Sequence, residues 1–379
     1  MEHTIDQDSG FIFPETQDNG GFIKVIGVGG GGGNAVNHLY EQGVKGVTFG
    51  MINTDNQALR QSPVPTKIVM GGRGAGGKPE VAKHAAEQCK DAIESMLDDG
   101  TKMVFITASM GGGTGTGAGP VVARYAHDKG LLTVAIVNTP FNFEGHNKMK
   151  MALEGIQQMQ QHVDAMIIIN NQRLVDNYED LPMSKCFSLA DDVLAQAASA
   201  ISNLISVDGY WNIDFNDVRS TLQEARAAII SEGTGEGEHR VTKALNAALD
   251  SPLLRNRNIY DATRLLINIY CNPDAQNPLV AREVRELEDF KRKFRKEDSQ
   301  ITGWTYDRNM GEEVKITILA SGFDINLDEE GENDIILLDP NDDDPPLDFI
   351  ENTPTYQRGR QNVSSVTKPD KTKKQISFD

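Results

Sequence analysis

Short apolar runs alternate along this chain with longer amphipathic ones. Residues 22–28 form an apolar run that stops at a series of glycines, the pattern of a strand buried on both faces. Residues 34–43 read as a helix and 47–55 as a second strand. Residues 79–100 keep helical spacing, with Pro79 suited to a first turn. A strand at 102–109, a helix at 117–130, a strand at 131–140, a helix at 147–163 and a strand at 164–170 follow. This alternation predicts an α/β fold, doubly wound around a mostly parallel sheet, with ligands at the C-terminal strand ends. Residues 184–206 contain no Gly or Pro and are rich in Ala, Leu and Ile; they predict one long central helix of about 33 Å. Beyond Asp208-Gly209, helices near 216–231 and 238–250 and strand-like runs at 264–270 and 313–321 predict a smaller α+β domain.

The expected organisation is a disordered N-terminal extension (1–20), a nucleotide-binding α/β domain (21–183), the central helix (184–206), a C-terminal α+β domain (207–325), an acidic disordered linker (326–350) and a partner-binding peptide with a basic tail (351–379). The net charge of −18 sharpens the picture at the tail. Residues 324–348 carry eleven acids and no Lys or Arg, so the remainder is only −7. Low hydrophobicity with high net charge keeps such a segment unfolded. Nucleic acid is not expected as a partner, since phosphate neutralisation needs clustered cations. No run of 18 apolar residues occurs, so no membrane insertion is expected. Cys89, Cys186 and Cys271 are far apart, and the start of the chain lacks a leader pattern, which together predict a cytoplasmic protein with free thiols.

Two glycine-rich loops carry the chemistry. The first spans Gly27 to Val36 and includes Gly29, Gly30, Gly31, Gly32, Gly33 and Asn34. The second runs Gly111, Gly112, Gly113, Thr114, Gly115, Thr116, Gly117. Glycine lets the backbone approach a ligand closely, and a helix N-terminus offers unpaired N–H groups and partial positive charge, so each is an anion site suited to phosphate. Thr114 and Thr116 add hydroxyls. On the first loop alone a nicotinamide-linked oxidoreductase fits as well, because Asp55 stands where a dinucleotide fold keeps its ribose acid. The second loop discriminates: two cradles around one crevice suit a single polyphosphate tail. Asn53-Thr54-Asp55 and the segment Gly71 to Gly77 end and open the neighbouring elements. Asp55 is either an outer ligand of a phosphate-bound Mg²⁺ or a helix cap. No all-protein metal site is expected, the seven His showing no paired ligand spacing.

The stretches 23–36 (IKVIGVGGGGGNAV), 52–59 (INTDNQAL), 74–82 (GAGGKPEVA), 111–117 (GGGTGTG), 139–145 (TPFNFEG), 212–219 (NIDFNDVR) and 251–254 (SPLL) occur together and in order. As a set they closely resemble the FtsZ family of bacterial cell-division GTPases in the tubulin superfamily, over roughly residues 22–323. The resemblance implies GTP/GDP as the ligand, with Mg²⁺ held mainly by phosphates and water. It implies that Gly29 to Gly33 and Asn34 form the first nucleotide loop, that Ala75, Gly76 and Gly77 face the γ-phosphate, and that Gly111 to Gly117 hold the α- and β-phosphates. It further implies that Glu144 bonds the ribose, that Asn171 and Asp191 read guanine, and that Phe187 stacks on the base. Lys148, Lys78, Asn170, Gln172 and Arg226 depart from the family's usual residues.

Hydrolysis needs a positioned water, and the candidates are Asn212, Asp214 and Asp217; helix capping explains the two acids equally well on spacing alone. The long helix starts near the guanine readers and carries the chain away from them. The Asp214 loop is therefore expected to act on a second copy stacked head to tail, making a filament whose assembly activates the enzyme, a division ring concentrated at mid-cell. Residues 352–360, which mix Pro, Tyr and Arg, weakly resemble the family's docking peptide for a membrane adaptor of the FtsA type. A tubulin-like partitioning protein that turns GTP over poorly is the other reading.

Overall fold

The computed structural model describes residues 11–12, 22–44, 46–177, 180, 182–206, 210–250, 259–294 and 300–323. The N-terminal extension, the SPLL stretch, the acidic linker and the C-terminal peptide lie almost wholly outside these.

The elements in chain order are β1 (Phe11–Ile12), β2 (Ile23–Val28), α1 (Gly29–Glu41), β3 (Val47–Asn53), α2 (Asn56–Gln61), β4 (Thr66–Val69), α3 (Pro79–Gln88), α4 (Lys90–Met96), β5 (Met103–Ser109) and α5 (Gly113–Asp128). They continue with β6 (Leu132–Thr139), a 3₁₀ turn (Asn142–Glu144), α6 (His146–Gln160), β7 (Ala165–Asn170), α7 (Asn171–Asn177), α8 (Met183–Ser206) and α9 (Phe215–Leu222). The last are β8 (Arg226–Gly235), α10 (Arg240–Leu249), a 3₁₀ turn (Ile259–Asp261), β9 (Arg264–Cys271), α11 (Ala281–Lys291), β10 (Gln300–Tyr306) and β11 (Val314–Phe323).

All eleven strands join one sheet in the order β1-β4-β3-β2-β5-β6-β7-β8-β11-β9-β10. From β4 to β8 every pairing is parallel, which puts the C-terminal ends of β2, β3, β5, β6 and β7 on one edge. β11 runs antiparallel to both β8 and β9, giving the mixed half its different character. The parallel strands are mostly apolar because both faces are covered. Val25, Phe105 and Val134 face a core with Val36 and Leu39 of α1 and Leu194 and Ile201 of α8. Their neighbours Ile26, Ile106 and Ala135 face a second core with Ala82, Ile93, Val122 and Ile156 of α3 to α6. Ile230, Leu266 and Leu319 of the mixed half share the α8 core together with Val218 and Leu222 of α9. Ile229, Ile267 and Ile316 on the other face pack on α10 and α11.

Three expectations need correction. The stretch 79–100 is two helices, broken at Cys89, which sits at φ −95°, ψ 20°. The expected helix at 216–231 ends at Leu222, and its second half is β8. Glu224 and Arg226 take positive φ, which stops a right-handed helix, and Gly233 and Gly235 lie too close to α10 for any side chain: a Cβ on Gly235 would meet the Arg240 carbonyl oxygen at 2.0 Å. Finally, most of the glycines read as loop are helical. α1 begins at Gly29 and α5 at Gly113, so the polyglycine series supplies the first helical turns.

Candidate functional site

The helical glycines follow from packing. A Cβ on Gly32 would come within 2.1 Å of the Thr107 carbonyl oxygen, and one on Gly117 within 1.9 Å of the Pro79 carbonyl oxygen. α1 therefore lies directly on β5, and α5 directly on the start of α3. The two N-termini also abut, since a Cβ on Gly29 would stand 3.0 Å from the Gly115 nitrogen. Two helix ends with unpaired N–H groups thus converge on one spot at the C-terminal edge of the sheet, where anions are favoured.

The neighbouring strand ends close around this spot. Thr54 and Thr114 join by their hydroxyls at 2.7 Å. The segment after β4 is laid along the end of β3, with Met70 N–H donating to the Asn53 carbonyl and Gly74 N–H to the Thr54 carbonyl, both at 2.8 Å. This carries Ala75, Gly76 and Gly77 to the N-terminus of α5, where a Cβ on Gly113 would meet that of Ala75 at 2.8 Å. Thr116 is directed otherwise: it is buried, and its hydroxyl accepts the Gly111 N–H at 2.9 Å. Asp55 caps α2, accepting from Gln57 N–H at 2.8 Å and from Ala58 N–H, so one carboxylate oxygen has a structural task.

Farther along the same edge, Glu144 accepts from Phe141 N–H at 2.9 Å and from Lys148 Nζ at 3.0 Å, so the divergent Lys148 turns toward Glu144. Phe187 is exposed near the start of α8 and touches Phe141 edge-on at 5.2 Å between ring centres, with Phe143 beside both. Asn171 is buried, and its Oδ1 has no hydrogen-bond partner in the protein. Such a group carries an uncompensated desolvation cost unless a ligand meets it. Gln172 accepts from Asn142 N–H at 3.0 Å and ties the end of β7 to the 3₁₀ turn.

Asp191 is held by Asn34, whose Nδ2 donates to Oδ2 at 3.1 Å. One turn along α1, His38 Nδ1 pairs with Asp192 at 2.8 Å. Burial pushes the Asp191 carboxyl up to about 6; Asp192 adds to the rise, while Asn34 and His38 oppose it. These two contacts bind α1, which begins at the glycine series, to α8, which bears Phe187 and Asp191, and no spacing rule in the sequence could have revealed them.

Asn212, Asp214 and Asp217 are elsewhere. From Asp191 to Ser206 the axis of α8 advances about 22 Å. After α9 the chain enters β8 at the N-terminal side of β7: Arg226 N–H donates to the Asp164 carbonyl at 3.0 Å, while Asn171 follows the opposite end of β7. Asp214 and Asp217 cap α9 reciprocally, Asp217 N–H donating to Asp214 Oδ1 at 2.9 Å and Asp214 N–H to Asp217 Oδ2 at 3.0 Å. Asp214 is exposed, and the cap fixes both carboxylates at the surface.

Residues 22–179 match a family model described as the Tubulin/FtsZ family GTPase domain, and residues 226–324 one described as the FtsZ family C-terminal domain. The chain is 48% identical over 314 residues to the cell division protein FtsZ of Porphyromonas gingivalis, covering 81% of this chain and 68% of that one. It is 40% identical over 359 residues to the cell division protein FtsZ of Azotobacter vinelandii, covering 90% and 86%. Among solved structures it is similar to an FtsZ dimer of M. jannaschii, with a TM-score of 0.72 and 36% identity over 79% of this chain and 88% of that one. CetZ2 from Haloferax volcanii, at 19% identity and a TM-score of 0.68, shares the fold. By its sequence, its sheet and its paired glycine helices, the chain belongs to the FtsZ family of tubulin-type cell-division GTPases.

Proposed function

We propose that this protein binds GTP at the C-terminal edge of its parallel sheet and hydrolyses it when a second copy, stacked head to tail, brings Asn212, Asp214 and Asp217 onto the γ-phosphate. The observation that supports this reading is the length of α8: it starts beside the cradle, where Asn34 holds Asp191, and its axis advances about 22 Å before the chain reaches Asn212, Asp214 and Asp217. The backbone N–H groups of Gly29 to Gly33 and Gly111 to Gly117 would hold the phosphates, with Ala75, Gly76 and Gly77 at the γ-phosphate, Thr114 beside them and Asn34 at the turn toward the base. Glu144 would take a ribose hydroxyl and Phe187 would stack on the base. Asp191 would accept the N1–H and N2–H of guanine, a donor pair adenine lacks. The Asn171 Oδ1, which meets no donor among the described residues, fits a ligand with a polar base edge that donates.

In this reading the neighbour's carboxylates orient the attacking water and take its proton, and the two helix N-termini stabilise the charge that develops on the phosphates. Mg²⁺ would be held mostly by the phosphates and by water and would neutralise phosphate charge, with Asp55, whose Oδ1 caps α2, as an outer ligand. Stacking of one face on a different face does not close, so it builds filaments. The filament would work in the cytoplasm at the mid-cell division site, tied to the membrane by an adaptor of the FtsA type at residues 352–360.

Phosphate release and sedimentation after addition of GTP test this. Asp214→Ala and Asp217→Ala should bind GTP normally and turn it over at least about 100-fold more slowly. Asp214→Asn separates the two roles of this residue, because Asn caps a helix as well as Asp does: it should keep wild-type stability and still lose turnover. Wild-type turnover by assembled Asp214→Asn would refute the shared site.

A further inference from the structure

Ten large apolar side chains are exposed among the described residues, and seven of them fall on two surfaces. Val81, Phe143, Met183 and Phe187 lie along the nucleotide edge, in the first turn of α3, in the 3₁₀ turn after β6 and in the first turns of α8. Tyr210, Trp211 and Tyr306 lie beside the Asp214 loop. Tyr210 is 78% exposed and Trp211 68%, although both are held firmly. Trp211 N–H donates to the Trp304 carbonyl at 3.1 Å and Trp304 N–H to the Trp211 carbonyl at 2.9 Å, which adds this segment to the sheet beside β10. The Tyr210 ring rests on Tyr306 at 5.5 Å, and Ile213, two residues past Trp211, is buried against Gly303. The Trp211 backbone is therefore tied to the sheet, and two large aromatic rings are presented to solvent three to four residues before Asp214.

We propose that Trp211, supported by Tyr210, is the anchor that seats the Asp214 loop on the nucleotide edge of the next copy. The inference rests on the head-to-tail reading, and it assigns the affinity of that contact to a residue outside the chemistry. The occupant is a second copy of this chain, because the aromatic surface is continuous with the loop that must meet another copy's γ-phosphate and because the facing edge carries the other exposed apolar cluster. Rigid Trp and Tyr at the centre of a contact are the side chains that most often dominate binding, since they bury large area while losing little freedom. Asp214 and Asp217 approach an anionic phosphate chain, so they cannot supply that attraction themselves.

The chain contains two Trp residues, so full-length Trp304→Phe leaves Trp211 as the sole fluorophore. On addition of GTP, in the pelleting fraction, its emission should shift to the blue and its quenching by acrylamide should fall at least about twofold. Trp211→Ala should raise the assembly threshold on the order of thirtyfold while binding GTP as tightly as wild type, and Trp211→Phe should recover most of the loss. Filaments in which Trp211 stays as open to acrylamide as in the monomer overturn the inference, as does assembly of Trp211→Ala at the wild-type threshold. Protection already present in dilute protein without GTP also overturns it, because the chain itself would then cover the surface. A wild-type chain that binds GTP and never pellets removes the head-to-tail reading, and this inference with it; filaments with an open Trp211 remove the inference alone. If Trp211→Ala does not fold, the quenching measurement on Trp304→Phe decides.

Discussion

Asp191 illustrates how one side chain can combine a structural and a recognition role. Its carboxyl is raised to about 6 by burial, and one oxygen is already met by Asn34. Guanine would offer two further N–H groups to the ionised form only. Below about pH 6 the empty protein holds a proton that the base must displace. Affinity for GDP should therefore be level above that pH and fall by up to about tenfold per unit beneath it. Calorimetric titration from pH 7.5 to 5 checks this, with pyrophosphate as the control for titration of the phosphates themselves. An affinity that tracks the pyrophosphate control throughout would remove Asp191 from base recognition. Two more residues at this scale read differently in three dimensions than in sequence. Thr116 turns inward to Gly111, and Lys148 turns to Glu144. Thr116 is legible as a member of a motif and Lys148 as a departure from the family's usual residue, but neither reading gives the direction of the side chain.

At the scale of elements, the glycine series separates into two classes that a string of identical letters conceals. Gly32 and Gly117 are required by backbone contacts with a strand and with another helix, while Gly30 faces open space. Gly117→Ala should destabilise the fold by about 2 kcal/mol or more, since the Pro79 backbone would have to move. Gly30→Ala should leave the denaturant midpoint within error, or raise it slightly through better helix propensity, and weaken nucleotide binding instead. Equal losses of stability in the two variants would contradict this division. The same contacts explain what sequence reading missed. Glycine disfavours a helix, so its run reads as loop, yet tertiary packing overrides propensity here. The parallel strands and α8 were plain because burial on both faces and an unbroken apolar stripe leave little choice. β8 was not, because Ala-Ala-Ile-Ile fits either period and the turn before it depends on two residues at unusual φ. The pairings of Asn34 with Asp191 and of His38 with Asp192 join residues more than 150 positions apart in the chain, and nothing local announces them.

For the whole molecule, the proposed head-to-tail site would make activity a property of numbers. GTP turnover per molecule should be close to nil in dilute protein and rise steeply above a threshold, coinciding with the onset of sedimentation; specific activity that stays flat on dilution would mean a self-sufficient monomer. The arrangement also has a directional outcome. The two ends of every stack are chemically unlike, one showing an open cradle and the other an unused pair of acids. The copy with the open cradle can trade its nucleotide with solution but has no neighbour to cut it. The last site at that end must stay in the triphosphate state until another copy arrives, so growth itself sets the clock for hydrolysis one position behind the tip.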